Sequence, residues 1–153
     1  MTISTSFTLD ALGWLPAAHQ LPSPNCDARP ENVAIELIVI HNISLPPGVF
    51  DGDAVIDLFT NRLDVAAHPY YAQLDGVQVS AHFFVRRDGG VVQCVSCDAR
   101  AWHAGASRWN GRDGCNDWSI GIELEGLEGE TFERAQYRSL IRLLRALERR
   151  YPL

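Results

Sequence analysis

The stretch ELIVIHNISLPPGVF, residues 36–50, decides how this chain is read. Residues 37–40 are pure hydrocarbon; His41 and Asn42 follow, and Pro46 and Pro47 stiffen the loop behind them. A short, β-branched run bounded by turn formers reads as a buried strand over residues 36–41. Ending such a strand on an imidazole fixes the ring at the mouth of a sheet, where a neutral histidine is a favoured metal ligand. Asn42 beside it could donate to a bound amide carbonyl. Read alone, His41 also fits a histidine that merely caps the strand by bonding a backbone carbonyl.

Working outward, residues 51–63 (DGDAVIDLFTNRL) place apolar side chains at 55, 58, 59 and 63, which is helical spacing, with Asp51 or Asp53 as the cap. Residues 21–32, with three prolines, read as an irregular surface segment, and residues 64–76 read as loop. Residues 78–86 alternate as a strand with Val79, Ala81, Phe83 and Val85 on one face. An Asp-Gly turn then returns the chain through residues 91–95. Residues 119–124 (SIGIEL) form another strand, with a glycine inside it. Residues 133–151 are an amphipathic helix with Leu140, Ile141, Leu143, Leu144 and Leu147 on one side and a stripe of arginines on another. The order strand, helix, hairpin, long loop, strand, helix predicts an α/β fold, a mixed sheet flanked by helices.

A chain of 153 residues is enough for one domain with one real core. With 13 Lys and Arg against 19 Asp and Glu, the net charge of −6 argues against a nucleic-acid surface. The N-terminal twenty residues hold neither a basic n-region nor an apolar h-region, so no secretory signal is read there. No apolar run approaches the ~20 residues that span a bilayer. Cys26, Cys94, Cys97 and Cys115 are then expected as reduced thiols in the cytoplasm.

Three constellations carry possible chemistry. Glu123 and Glu125 share a face of GIELEG, and a carboxylate on so apolar a strand should have a raised pKa, which suits a general base. The bland alternative is two solvated carboxylates on an edge strand. The loop at residues 100–117 is rich in glycine and aromatics, with Trp102 or Trp109 as stacking faces and His103 as donor or acceptor for a sugar or peptide; its alternative is a loop ordered by its own tryptophans. CVSC, residues 94–97, lacks a second close cysteine pair and a following helix, so it reads as structural thiols. The arginine stripe reads as a solvated face pairing with Glu133 and Glu148, or as a contact for an acidic partner.

Taken together, VIHNISLPPGVF, HPYY, VSAHFFVRRDGGVVQ, RAWHAGASRWNGRDGCNDWSIGIELEG and AQY resemble the cytosolic branch of the type 2 zinc amidases, relatives of the peptidoglycan recognition proteins. The resemblance covers residues 13–152. It implies zinc-dependent hydrolysis of the amide between (anhydro-)N-acetylmuramic acid and L-alanine of muropeptides, in cell-wall recycling, with an indirect influence on β-lactamase induction. By the same resemblance His41 is a metal ligand, Glu123 is the catalytic carboxylate, and Asn42, Trp102 and His103 line the muropeptide groove. The implied partner is a small muropeptide, with no nucleic acid and no membrane, and the chain is expected as a monomer. Gly114 and Gln78 stand where some relatives carry basic residues. In the family, a segment beyond the helix ending RYP supplies a second histidine ligand, an aspartate ligand and a lysine. The expectation is therefore a single amidase-like domain over 1–153 that lacks this C-terminal segment, with one zinc ion whose two further ligands lie beyond Leu153. The other expectation is a short protein that binds muropeptide without cleaving it.

Overall fold

The computed structural model describes residues 7–153; the first six, part of the stretch read as holding no export signal, lie outside the described residues. In chain order the elements are β1 (His19–Gln20), β2 (Cys26–Ala28), β3 (Leu37–Ile43), α1 (Ala54–Phe59), a 3-10 helix (Pro69–Leu74), β4 (Phe83–Val85), β5 (Val91–Gln93), β6 (Ala99–Ala101), β7 (Arg108–Trp109), β8 (Arg112–Asp113), α2 (Cys115–Trp118), β9 (Ser119–Glu125) and α3 (Arg134–Arg150). Five strands form one sheet in the order β1-β5-β4-β9-β3. β9 runs parallel to both β3 and β4, β4 and β5 are antiparallel, and β5 is parallel to β1. The fold is thus the expected mixed sheet with flanking helices.

β9 has a strand neighbour on each side, and all seven of its residues are buried. Its alternation divides the molecule. Ile120, Ile122 and Leu124 face a core shared with Phe83, Val85 and the α3 side chains Leu140, Leu143 and Leu147. Gly121, Glu123 and Glu125 face the other way. On that side Phe84 and Val92 join Val55, Ile56, Leu58 and Phe59 of α1 in a second core. The site is built where this second face reaches β3.

α3 is fixed at its start by a reciprocal capping box: Gln136 Oε1 accepts the Glu133 N–H at 2.9 Å, while the Glu133 side chain accepts from the N3 backbone. The same Gln136 is fully buried, and its Nε2 donates to Val85 O and Glu125 O, closing the ends of β4 and β9. Helix position and strand end are therefore locked by one amide.

Several local expectations are corrected. β3 is an edge strand and only half buried, with Ile40 48% exposed. Its hydrocarbon covers one flank of a core and one wall of a groove instead of a sheet interior. Residues 78–86 hold only the three-residue β4, and Ala81 packs in the second core while Phe83 packs in the first, so alternation fails across that segment. α1 is shorter than its pattern; Asp53 sits at its N-cap without a side-chain cap bond and accepts from Arg86 Nη2 at 2.9 Å. A 3-10 helix capped by His68 occupies the segment read as loop. β2 runs within the proline-rich segment and pairs with β6, and the long loop contains β6, the β7–β8 hairpin and α2. Ile141 is 48% exposed, since the α3 stripe that meets the sheet is narrower than its apolar positions. Among the described residues no helix is long and apolar enough to cross a membrane.

Candidate active site

His41 and Glu123 are direct register partners on the parallel pair β3 and β9. Register partners project to the same side of a sheet, so the imidazole and the carboxyl share one face. Phe84 is the partner of Glu123 on its other side, which walls the carboxyl with hydrocarbon. Glu123 is 9% exposed, and its Oε2 is buried without a hydrogen-bond partner among the described residues. Burial disfavours its charge and pushes its pKa from 4.5 up to about 8.

Glu125, two positions on, is different. Its Oε1 accepts the Asp51 N–H at 2.7 Å and its Oε2 the Arg87 N–H at 3.0 Å. It pins the loop behind β3 to the β4–β5 turn, a structural carboxylate beside a free one. Neither sits on an edge strand.

His103 comes to this face through Gly121. A Cβ at Gly121 would fall 2.3 Å from the His103 ring, so glycine leaves the space in which the ring lies. Asn116 Oδ1 accepts the backbone N–H groups of His103 and Ala104 at 3.1 and 2.9 Å. Arg29 in turn donates to the carbonyl oxygens of Cys97, Asn116, Asp117 and Ser119, tying α2 to the start of β9. The ring nitrogens of His103 are both engaged: Nδ1 lies 2.9 Å from His41 Nε2, and Nε2 lies 3.1 Å from Ser119 Oγ. Burial, then the His41 and Arg29 charges, hold the His103 pKa down to about 3, and burial lowers that of His41.

The other candidates fall as follows. Asn42 is exposed, and strand alternation turns it to the face opposite His41. Trp102 is half-buried beside His103; its N–H donates to Ser80 Oγ, and its side chain hydrogen-bonds Asp27. Trp109, on β7, is 61% exposed. An apolar groove of about 550 Å³ runs along β3 past His41, His103, Arg108 and Trp109. His82 is fully buried and structural: its Nδ1 accepts the Gly121 N–H, and its Nε2 lies 3.1 Å from Ala99 O. Cys94 and Cys97 are buried free thiols, and burial pushes Cys94 up to about 12, which fits structural rather than reactive roles. Arg142 of the stripe stacks over Phe7 at 4.1 Å, Arg149 donates to Phe7 O, and Glu133 pairs with Arg87 instead. Gly121, Asn116, Ser119 and Arg29 were not singled out by sequence reasoning. The glycine inside a strand was the one signal for them.

A family model described as N-acetylmuramoyl-L-alanine amidase matches residues 31–153. The chain is 51% identical over 140 residues to the Escherichia coli K12 protein named 1,6-anhydro-N-acetylmuramyl-L-alanine amidase AmpD, covering 92% of this chain and 76% of that one. A crystal structure of a Se-Met AmpD derivative superposes with a TM-score of 0.91 at 51% identity, covering 94% of this chain and 80% of that one. A complex of the E. coli amidase AmiD with the substrate anhydro-N-acetylmuramic acid-L-Ala-D-gamma-Glu-L-Lys matches at TM-score 0.53 and 26% identity, over 96% of this chain and 53% of that one.

Proposed function

The chain belongs to the N-acetylmuramoyl-L-alanine amidase family, and from that premise we propose that it hydrolyses the amide joining (anhydro-)N-acetylmuramic acid to L-alanine in muropeptides. The observation that carries the reading is the unpartnered Glu123 carboxyl held in register with His41 on one face of the sheet. A carboxyl whose pKa is about 8 is a strong enough base to take a proton from water near neutral pH. Glu123 would accept that proton as water attacks the lactyl carbonyl, and deliver it to the departing amine of L-alanine. The name of the E. coli relative and the substrate in the AmiD complex support the choice of amide and of a small muropeptide ligand. Asn42, Trp102 and His103 are the proposed muropeptide contacts, Asn42 from the exposed side of the edge strand β3. The role in cell-wall recycling, the cytoplasmic setting, the influence on β-lactamase induction and a monomeric state belong to the same proposal.

Zinc is the finer part of this reading, with His41 as one ligand. A catalytic zinc takes three protein ligands and a water. Among the described residues no group of three or more His, Cys, Asp or Glu could hold a metal ion. These residues therefore do not fit a complete zinc centre, and two further ligands would have to come from elsewhere. That observation favours a second reading, in which the chain binds muropeptide and leaves it intact.

Incubation with 1,6-anhydro-N-acetylmuramyl-tripeptide, with and without added zinc, separates the two by mass spectrometry. Release of a tripeptide with a free L-alanyl amine supports hydrolysis. Intact muropeptide under both conditions, with binding seen by calorimetry, supports the second reading and overturns the first.

A further inference from the structure

The chain holds no lysine; all 13 of its basic residues are arginines, and six of them lie in α3, which contains a single acid, Glu148. Each of the seven arginines outside α3 bonds a carboxylate or carbonyl oxygen of the fold. The α3 set divides. Arg142, Arg149 and Arg150 turn back onto the protein, the first two onto Phe7 and the third toward Asp98. Arg134, Arg138 and Arg145 are exposed, and their guanidinium groups make no hydrogen bond or ion pair among the described residues. Residues 1–6, MTISTS, carry no carboxylate that could serve them. These three positions fall within about 40° of one another around the helix axis and span about 17 Å along it.

Such a strip works against the helix that carries it. Arg134/Arg138, Arg138/Arg142 and Arg145/Arg149 are like-charge neighbours four residues apart, an arrangement that destabilises a helix. Arg134 also opens α3, where the helix dipole disfavours a cation. A local rule broken this often without a compensating contact inside the fold points to a contact outside it. Tyr137 and Ile141 border the strip, each about half exposed, and Phe132 meets the Tyr137 ring edge to face at 6.4 Å. Exposed tyrosine and isoleucine among arginines match the composition of protein–protein interfaces, where arginine and aromatics are enriched and lysine is depleted.

We propose that this strip of α3 docks an acidic helical segment of another protein. Its carboxylates would pair with Arg134, Arg138 and Arg145, and its apolar side chains would cover Tyr137 and Ile141. The choice of partner rests on charge complementarity and shape. A guanidinium presents a planar fork that fits a carboxylate. The strip is as narrow as one helix laid along another. A nucleic-acid duplex or an anionic bilayer is a broad polyanion and would press its phosphates against the rest of a chain whose net charge is −6. The buried side of α3 packs on the Ile120, Ile122 and Leu124 face of β9, across the sheet from Glu123, so a docked partner leaves the candidate site open. The proposal does not rest on the amidase reading.

The test is fluorescence anisotropy on the 153-residue chain at low salt. The probe is an alanine-based helical peptide with glutamates at the i, i+4, i+11 spacing of the three arginines and leucines between them. Wild type should bind it, and added salt should weaken the complex. The charge-reversed chain R134E/R138E/R145E should bind at least about tenfold more weakly, and a peptide with glutamine for each glutamate should lose as much. A peptide with arginine for each glutamate should in turn prefer the reversed chain. Absence of binding to wild type overturns the proposal, as does equal binding to wild type and the reversed chain. Tighter binding of a short DNA duplex or of phosphatidylglycerol vesicles than of the acidic peptide overturns it in favour of those partners. The reversed chain keeps the wild-type result in the muropeptide assay, so failure of docking and failure of the hydrolysis reading are told apart.

Discussion

Glu123 on the interior strand β9 and His41 on the edge strand β3 stand in register on one face, and the carboxyl has a buried oxygen without a hydrogen-bond partner among the described residues. Its environment sets a pH signature. A carboxyl with its folded pKa raised to about 8 favours the folded state when protonated. That contribution is complete below the ordinary value of 4.5 and is lost as pH rises through about 8. Each tenfold change in proton affinity is about 1.4 kcal/mol. Urea unfolding should show wild-type stability declining between about pH 5 and 8, and Glu123→Gln, neutral throughout, should flatten that decline. A decline that persists in Glu123→Gln would assign it to another group.

Gly121→Ala should damage the site without touching its polar groups. The added methyl meets the His103 ring, which must leave its place between Gly121 and His41. A loss of about 1–3 kcal/mol in urea unfolding is expected. A variant as stable as wild type would show that the ring has slack there.

How much of this was legible beforehand differs by element. α3 announced itself through helical periodicity, since Leu140, Leu143 and Leu147 recur at the spacing that one buried stripe requires. β3 was legible as a strand, yet its hydrocarbon suggested an interior position; a groove wall and a sheet centre ask for the same residue types. His41 and Glu123 were each visible as candidates, but their pairing depends on the β3–β9 register, which residues far apart in the chain set together. His103 was legible as a candidate, but the order of its loop was not, because it comes from Arg29 and Asn116, whose long-range bonds leave no periodic trace.

Arg29 is the next place to look. It spreads one guanidinium over four carbonyl oxygens, a geometry that a lysine ammonium does not reproduce. Arg29→Lys should lower stability by about 1–3 kcal/mol, because carbonyls around α2 lose their donors. The check is the urea midpoint, with amide exchange at Cys115–Trp118 rising faster than in α3. Equal exchange in both elements would contradict a local role.

Gln136 joins the start of α3 to the ends of β4 and β9 with two donated bonds. Gln136→Leu keeps the volume and leaves Val85 O and Glu125 O without their donor. A loss of about 1–3 kcal/mol by urea unfolding is the expected outcome; a neutral result would mean that the carbonyls find other partners.

The catalytic claim is tested most directly by the rate at which wild type and Glu123→Gln release the peptide bearing free L-alanine from 1,6-anhydro-N-acetylmuramyl-tripeptide. With Glu123 as the proton carrier, wild type should turn over with a rate that climbs toward pH 8, and Glu123→Gln should be slower by about 10²–10⁴-fold while its fold, read by circular dichroism, is unchanged. A folded Glu123→Gln that cleaves at the wild-type rate would contradict the account.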